Sequence, residues 1–271
     1  MSYYEVLGLN KEPFSTSPDP DFFYKSTAHD TALKRIEIGI RLRRGLSVVM
    51  GDVGTGKTTL SRTLLNTFKN EDKFIFHLIL DPTYNSEFQF LTHLVRLFGV
   101  VPRFKSSLDY KEAIEKYLFT KGVDEDKTVI LLIDEGQKLT PGFLEVLRTL
   151  LNYETNEYKL LQLVILSQLE MMPKITKIRN FVDRIALKYI INPLDEIETR
   201  EMIYYRLRRG GLTEPRRIFS EGAMKAIYNL TQGYPRRIAI TCHNALETIV
   251  MQGKDTVDVD VVQELARAGA I

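Results

Sequence analysis

The stretch SVVMGDVGTGKTTLSRTLL, Ser47–Leu65, decides how this chain is read. Gly51, Gly56, Lys57 and Thr58 fit the phosphate-loop pattern G-x-x-x-x-G-K-[ST], and the pattern lies between an apolar strand candidate and a helical one, where it has to lie. Gly51, Gly54 and Gly56 permit a tight turn whose backbone N–H groups point inward, with Asp52, Val53 and Thr55 at the variable positions. A helix starting near Lys57 adds unpaired N–H groups and its positive end, so the loop through Thr59 is suited to wrap a polyphosphate. Lys57 is placed to reach the β- and γ-phosphates, and the Thr58 hydroxyl to ligate magnesium.

Outward from this loop, the spacing predicts strands at 46–50, 74–80, 128–135, 161–166 and 185–191, and helices at 29–43, 57–69, 87–98, 108–119 and 141–151. The first two strands are short, apolar and β-branched, which is the mark of strands covered on both faces. A basic segment at 174–184 also reads as helical. Residues 1–27 are aromatic and proline-rich and read as an extended lead-in. From Glu196 the texture is helical, with patterns at 196–209, 220–230, 235–251 and 258–268, and a strand-like run only at 257–259. The expected architecture is α/β. Residues 1–194 form a P-loop NTPase domain, a five-stranded parallel sheet flanked by helices, and 195–271 a small all-helical domain.

The third strand ends in Asp134 and Glu135. An acid at that place helps to hold magnesium, so Asp134 is assigned to the metal region and Glu135 to orienting and activating the attacking water. Ser167 and Gln168 leave the fourth strand, where a short polar side chain can touch the γ-phosphate or its water. Arg179, Arg184, Arg236 and Arg237 are the guanidinium groups suited to stabilise charge that spreads over phosphoryl oxygens. The basic runs RLRR at 41–44 and 206–209, and RR at 216–217, are candidates for a phosphodiester backbone. Their interruption by Leu42 and Leu207 favours solvated faces of packed helices instead.

Composition narrows the classes. Among 271 residues, 37 Lys plus Arg against 35 Asp plus Glu leave a formal charge of +2, which implies no bulk affinity for nucleic acid. The single cysteine, Cys242, excludes an internal disulfide framework and suits a reducing compartment. No signal-peptide layout opens the chain and no apolar run approaches a membrane span, so a cytoplasmic location is expected. The four histidines show no metal-ligand spacing. A dinucleotide oxidoreductase would need G-x-G-x-x-G, and a protein kinase a differently placed lysine with an HRD-type loop; neither is present.

Five segments together resemble the AAA+ ATPases of the general secretion pathway protein A type: YEVLGLNKEPFSTSPDPDFFY from Tyr4, GDVGTGKTTL, LLIDEGQKLTPGFLEVLRTLLNYET from Leu131, LLQLVILSQLE from Leu160, and GYPRRIAITCHNAL from Gly233. The resemblance implies an ATPase core with a C-terminal helical lid, using ATP/ADP and Mg2+. It also implies a homo-oligomeric ring, such as a hexamer, or a filament with ATP between subunits. By it Asp134 is the metal-associated acid, Glu135 the catalytic acid, and Gln168 or Ser167 the polar sensor. Arg184, with Arg179 in reserve, is the arginine given to a neighbour's site, and Arg236, after Pro235, is the lid sensor that contacts nucleotide. Phe14 and Tyr24, with residues 185–194, are similar to regions that enclose adenine. The implied role is assembly or remodelling of a partner complex in a type II secretion or type IV pilus-like system, the alternative being a DNA-associated ATPase resembling transposition regulators. Gly136 stands where this family commonly has alanine, a small-for-small difference expected to alter little. Long members continue into a membrane segment and a cell-wall-binding domain, and neither property is carried over to these residues.

Overall fold

The computed structural model describes residues 2–103 and 105–269. Its strands are β1 (Leu46–Gly51), β2 (Phe74–Ile79), β3 (Thr128–Ile133), β4 (Leu161–Ser167) and β5 (Ile185–Ile191). Its helices are α1 (Tyr3–Val6), α2 (Thr27–Arg41), α3 (Lys57–Phe68), α4 (Glu87–Leu97), α5 (Ser107–Phe119) and α6 (Pro141–Leu150), followed by α7 (Met172–Thr176) and α8 (Arg179–Val182). Four more close the chain: α9 (Glu196–Arg209), α10 (Glu221–Thr231), α11 (Pro235–Gln252) and α12 (Val259–Arg267).

Two compact units result, one of His29–Gly51 and Leu60–Ile191, the other of Met1–Ala28, Asp52–Thr59 and Asn192–Ile271. The first holds the sheet, ordered β2-β3-β4-β1-β5 and parallel throughout. Every residue of β1, β3 and β4 is buried, because these three central strands have neighbours on both sides and cover on both faces. Full cover was also expected of β2, and there the structure differs. As an edge strand β2 is mostly half-buried, and β5 at the other edge alternates between half-buried and exposed residues. Strand order, which composition does not encode, decides this.

The helices obey local rules. Thr140 caps α6, its hydroxyl accepting the Phe143 N–H at 3.3 Å, and Pro141 takes the first helical position, where no N–H is needed. The basic segment expected as one helix is two. Ile178, at φ −110° and ψ 76°, breaks it between α7 and α8, and the break lets Ile175 and Phe181 both enter the core.

The second unit is built on α9 to α12, with a core that includes Ile203, Leu207, Ile227 and Leu246. Leu9 and Phe14 from the opening segment belong to that same core. The expected boundary after 194 lies close to the Ile191–Asn192 break, yet the opening segment and the phosphate loop group with the helical part. The lead-in is also more ordered than expected: α1 precedes a 3-10 turn over Pro20–Phe22, where Asp19 Oδ1 accepts the Asp21 N–H at 2.8 Å. The strand-like run near 257 is a single parallel bridge between Phe219 and Val257.

Candidate functional site

The phosphate loop leaves the end of β1. Gly54 and Gly56 take φ of +82° and +93°, left-handed values that a side chain would strain, and α3 begins at Lys57. The Asp52 carbonyl is the hub of the loop: it accepts Lys57 Nζ at 2.8 Å, the Thr55 hydroxyl at 2.8 Å and the Thr55 N–H at 3.3 Å. Lys57 is thereby drawn in, with 7% of its surface exposed. The loop touches the start of α11 in the same unit. The Tyr234 hydroxyl donates to Asp52 Oδ2 at 2.7 Å, and the Arg236 N–H donates to the Gly54 carbonyl at 3.2 Å. The Asp52 carboxylate holds the Tyr234 proton, which raises the phenol pKa. Arg236 therefore meets the loop through its backbone N–H and through side-chain carbons that lie against Gly54, while the residue as a whole is exposed. Tyr234 had gone unassigned; its only sequence signal is membership of the GYPRR run.

In the sheet unit, the parallel register brings a second group together. Ile79 aligns with Ile133, Ile133 with Ile165, and Met50 with Ser167, so the C-terminal ends of β2, β3, β4 and β1 share one edge. Asp134 is buried there, and its Oδ1 accepts the Glu135 N–H at 2.9 Å. Glu135 has φ 53° and ψ 36°, a left-handed conformation that costs a non-glycine residue of order 1 kcal/mol and so needs local support. Gln137 gives it: Nε2 donates to Glu135 Oε2 at 2.7 Å, while Oε1 accepts the Gln168 N–H at 3.0 Å. Ser167 is buried with its hydroxyl donating to the Gln168 carbonyl at 3.2 Å, and Gln168 is half-buried.

Gly136 requires a correction. A Cβ at this position would lie 2.4 Å from Ile165 Cγ2 and 3.1 Å from Ser167 Cβ, so alanine is not a neutral replacement in this chain. The turn after β3 packs directly on β4, and a methyl group there forces Ile165 to move.

Residues 40–174 match the AAA domain family. The chain contains an AAA domain. Its five-stranded parallel sheet with flanking helices is the P-loop AAA+ fold. It is 34% identical over 260 residues to the general secretion pathway protein A of Aeromonas hydrophila, a match covering 93% of this chain and 45% of that protein, so the chain spans less than half of the relative's length. Solved structures share the fold. Cdc6p from Pyrobaculum aerophilum superposes with a TM-score of 0.69 at 18% identity over 94% of this chain and 70% of that one. The Drosophila ORC in its DNA-bound structure gives 0.64 at 19% identity over 100% and 67%, and the Thermotoga maritima RuvB Holliday junction branch migration motor 0.59 at 12% over 92% and 73%.

The remaining expected site residues of this AAA protein fall in distinct environments. Arg179 is exposed at the start of α8, and Arg184 is half-buried just before β5, its Nε buried without a hydrogen-bond partner. Phe14, expected beside adenine, is 1% exposed and packs edge-to-face on Phe219 at 6.1 Å, so its ring is committed to the helical core and is not open to a base. Tyr24 is half-buried with its ring 6.1 Å from that of Tyr205, and both line a shallow hollow with Pro20, Asp21, Lys25 and Arg209.

At least one arginine of each RLRR run is engaged within the protein. Arg43 is buried among Thr128, Gly122 and Asp126, and Arg206 donates to the Ser15 and Pro13 carbonyls. Among the described residues, no cluster of three His, Cys, Asp or Glu side chains is placed to hold a metal, and no helix is long and apolar enough to cross a membrane.

Proposed function

We propose that this AAA protein hydrolyses ATP with magnesium, as one subunit of a cytoplasmic homo-oligomer that assembles or remodels a partner complex. The observation that carries the reading is the Glu135 carboxylate. It sits at a left-handed turn at the end of β3, held by a directed hydrogen bond, on the strand edge that also carries Ser167 and the end of β1 from which the phosphate loop departs. Lys57 and the loop amides would bind the β- and γ-phosphates, Lys57 exchanging the Asp52 carbonyl for phosphate oxygen. Magnesium favours few protein ligands and keeps water and phosphate, and one carboxylate at Asp134 with one hydroxyl at Thr58 is such a sparse set; when bound, the ion neutralises phosphate charge.

Glu135 would orient a water for in-line attack on the γ-phosphorus and take its proton, with ADP leaving as the bridging P–O bond breaks. Ser167 or Gln168 would contact the γ-phosphate or that water. Arg236 would contact the same subunit's nucleotide, while Arg184, with Arg179 in reserve, would serve a neighbouring copy, so that ATP lies between subunits. Tyr24 and residues 185–194 would border adenine.

ATP turnover of the assembled protein tests this. Lys57→Ala, Glu135→Gln and Arg184→Ala should each abolish or severely reduce turnover, and wild-type turnover per subunit should rise with protein concentration; full activity in all three variants overturns the mechanism. The similarity to general secretion pathway protein A supports a partner in a type II secretion or type IV pilus-like system. Engagement of Arg43 and Arg206 inside the protein speaks against the DNA-associated alternative, so salt-dependent DNA retention should be absent at low salt with or without ATP.

A further inference from the structure

Gln137 stands two residues after Glu135 in a 3-10 turn over Gly136–Lys138, and both polar atoms of its side-chain amide and its backbone carbonyl are engaged. Its amide nitrogen serves the Glu135 carboxylate at 2.7 Å, its amide oxygen receives the Gln168 N–H at 3.0 Å, and its backbone carbonyl accepts from Lys174 Nζ. The amide's orientation follows from its partners. A carboxylate can only accept and a backbone N–H can only donate, so the flipped amide would lose both bonds.

We infer that Gln137 is a positioning residue for ATP hydrolysis, fixing the Glu135 carboxylate against the end of β4. The inference rests on the ATPase reading of Glu135. One carboxylate oxygen is occupied by Gln137, which sets the rotation of the group and leaves Oε1 to accept from a water. The left-handed backbone at Glu135 lets the turn, and not a regular element, set the direction of the side chain, so the Gln137 amide fixes where its carboxylate lies. The same amide ties Glu135 to the Ser167–Gln168 strand end. Through Lys174, the link reaches α7 and the segment that carries Arg179 and Arg184. A subunit's own base is thus tied to the strand end beside it and to the segment proposed to face its neighbour.

The test compares wild type with Glu135→Gln, Gln137→Met, Gln137→Asn and the Glu135→Gln/Gln137→Met double variant, each as the full assembled chain. The readouts are kcat and KM for ATP, single-turnover rates for slow variants, and affinity for a slowly hydrolysed ATP analogue. Methionine keeps the length and loses the amide, whereas asparagine keeps an amide too short to span both partners. Each should lower kcat about tenfold, the usual scale for one hydrogen bond to a charged group, and leave analogue affinity within about twofold. The double variant should be no slower than Glu135→Gln alone, because Gln137 acts only through that carboxylate.

If Glu135→Gln abolishes turnover while both Gln137 variants keep wild-type kcat, the Gln137 inference is overturned and the ATPase reading stands. Additive losses in the double variant, or a fall in analogue affinity matching the fall in kcat, also overturn it, since either would make Gln137 a general support of the turn. Full turnover by Glu135→Gln removes the ATPase role of Glu135 and the inference together.

Discussion

Residues 41–44 and 206–209 spell the same tetrapeptide, RLRR, and the fold treats them in opposite ways. In the first, Leu42 is 55% exposed and Arg43 only 9%; in the second, Leu207 is 0% exposed and Arg208 lies in solvent. The cause is where the helix stops. α2 ends at Arg41, and Arg43 turns left-handed at φ 48°, which swings its guanidinium inward onto Thr128 at 3.0 Å, Gly122 at 3.2 Å, Asp126 at 2.9 Å and the Tyr158 ring at 4.4 Å. α9 continues through Arg209, so Leu207 stays on the buried stripe with Ile203. Identical letters thus supply a buried cation once and a buried leucine once, and arginine count is no measure of a nucleic-acid footprint.

Substitutions can break or sharpen this contrast. Arg43→Met should cost the most, about 2 kcal/mol in denaturant unfolding, because three directed bonds are lost and the Thr128 hydroxyl loses its donor. Arg206→Met should cost less, about 1 kcal/mol. Its Nε is already buried without a partner, no carboxylate pairs with it among the described residues, and burial holds its guanidinium below the usual arginine range, so the side chain carries an unrecovered desolvation cost. Faster hydrogen exchange around residues 13–15 should accompany that change, and an equal loss in the two variants would erase the contrast.

Arg41→Ala should come next, with a small loss that disappears in molar salt, since its bonds to Glu37 and Glu71 are solvent-exposed. Arg44→Gln with Arg208→Gln should leave unfolding unchanged, and wild type should show no low-salt DNA retention for it to lower; wild-type retention that this double variant reduces would revive the basic runs as a binding surface.

Much of the molecule was legible in the residues themselves. Buried strands declare themselves as short apolar runs, amphipathic helices by period, and the phosphate loop by glycine spacing between the right flanks. The failures share one physical origin, dependence on a partner distant in sequence. The half-exposure of β2 follows from strand order, the split between α7 and α8 from the need to bury Ile175 and Phe181 together, and the withdrawal of Phe14 from the core it joins. At the site, the two acids were visible as a strand terminus, but Gln137 was not, because only the meeting of the β3 and β4 ends gives its amide two partners.

The close packing of Gly136 on Ile165 has a further consequence for how this sequence can vary. A methyl group at 136 meets the γ-methyl branch of 165, so the two positions behave as a single heritable choice. In a library randomised at both, alanine at 136 should survive only beside a residue without that branch, with Ile165→Leu as the nearest solution. Exploring position 136 alone would report it as invariant, although with position 165 free as well it has room to drift.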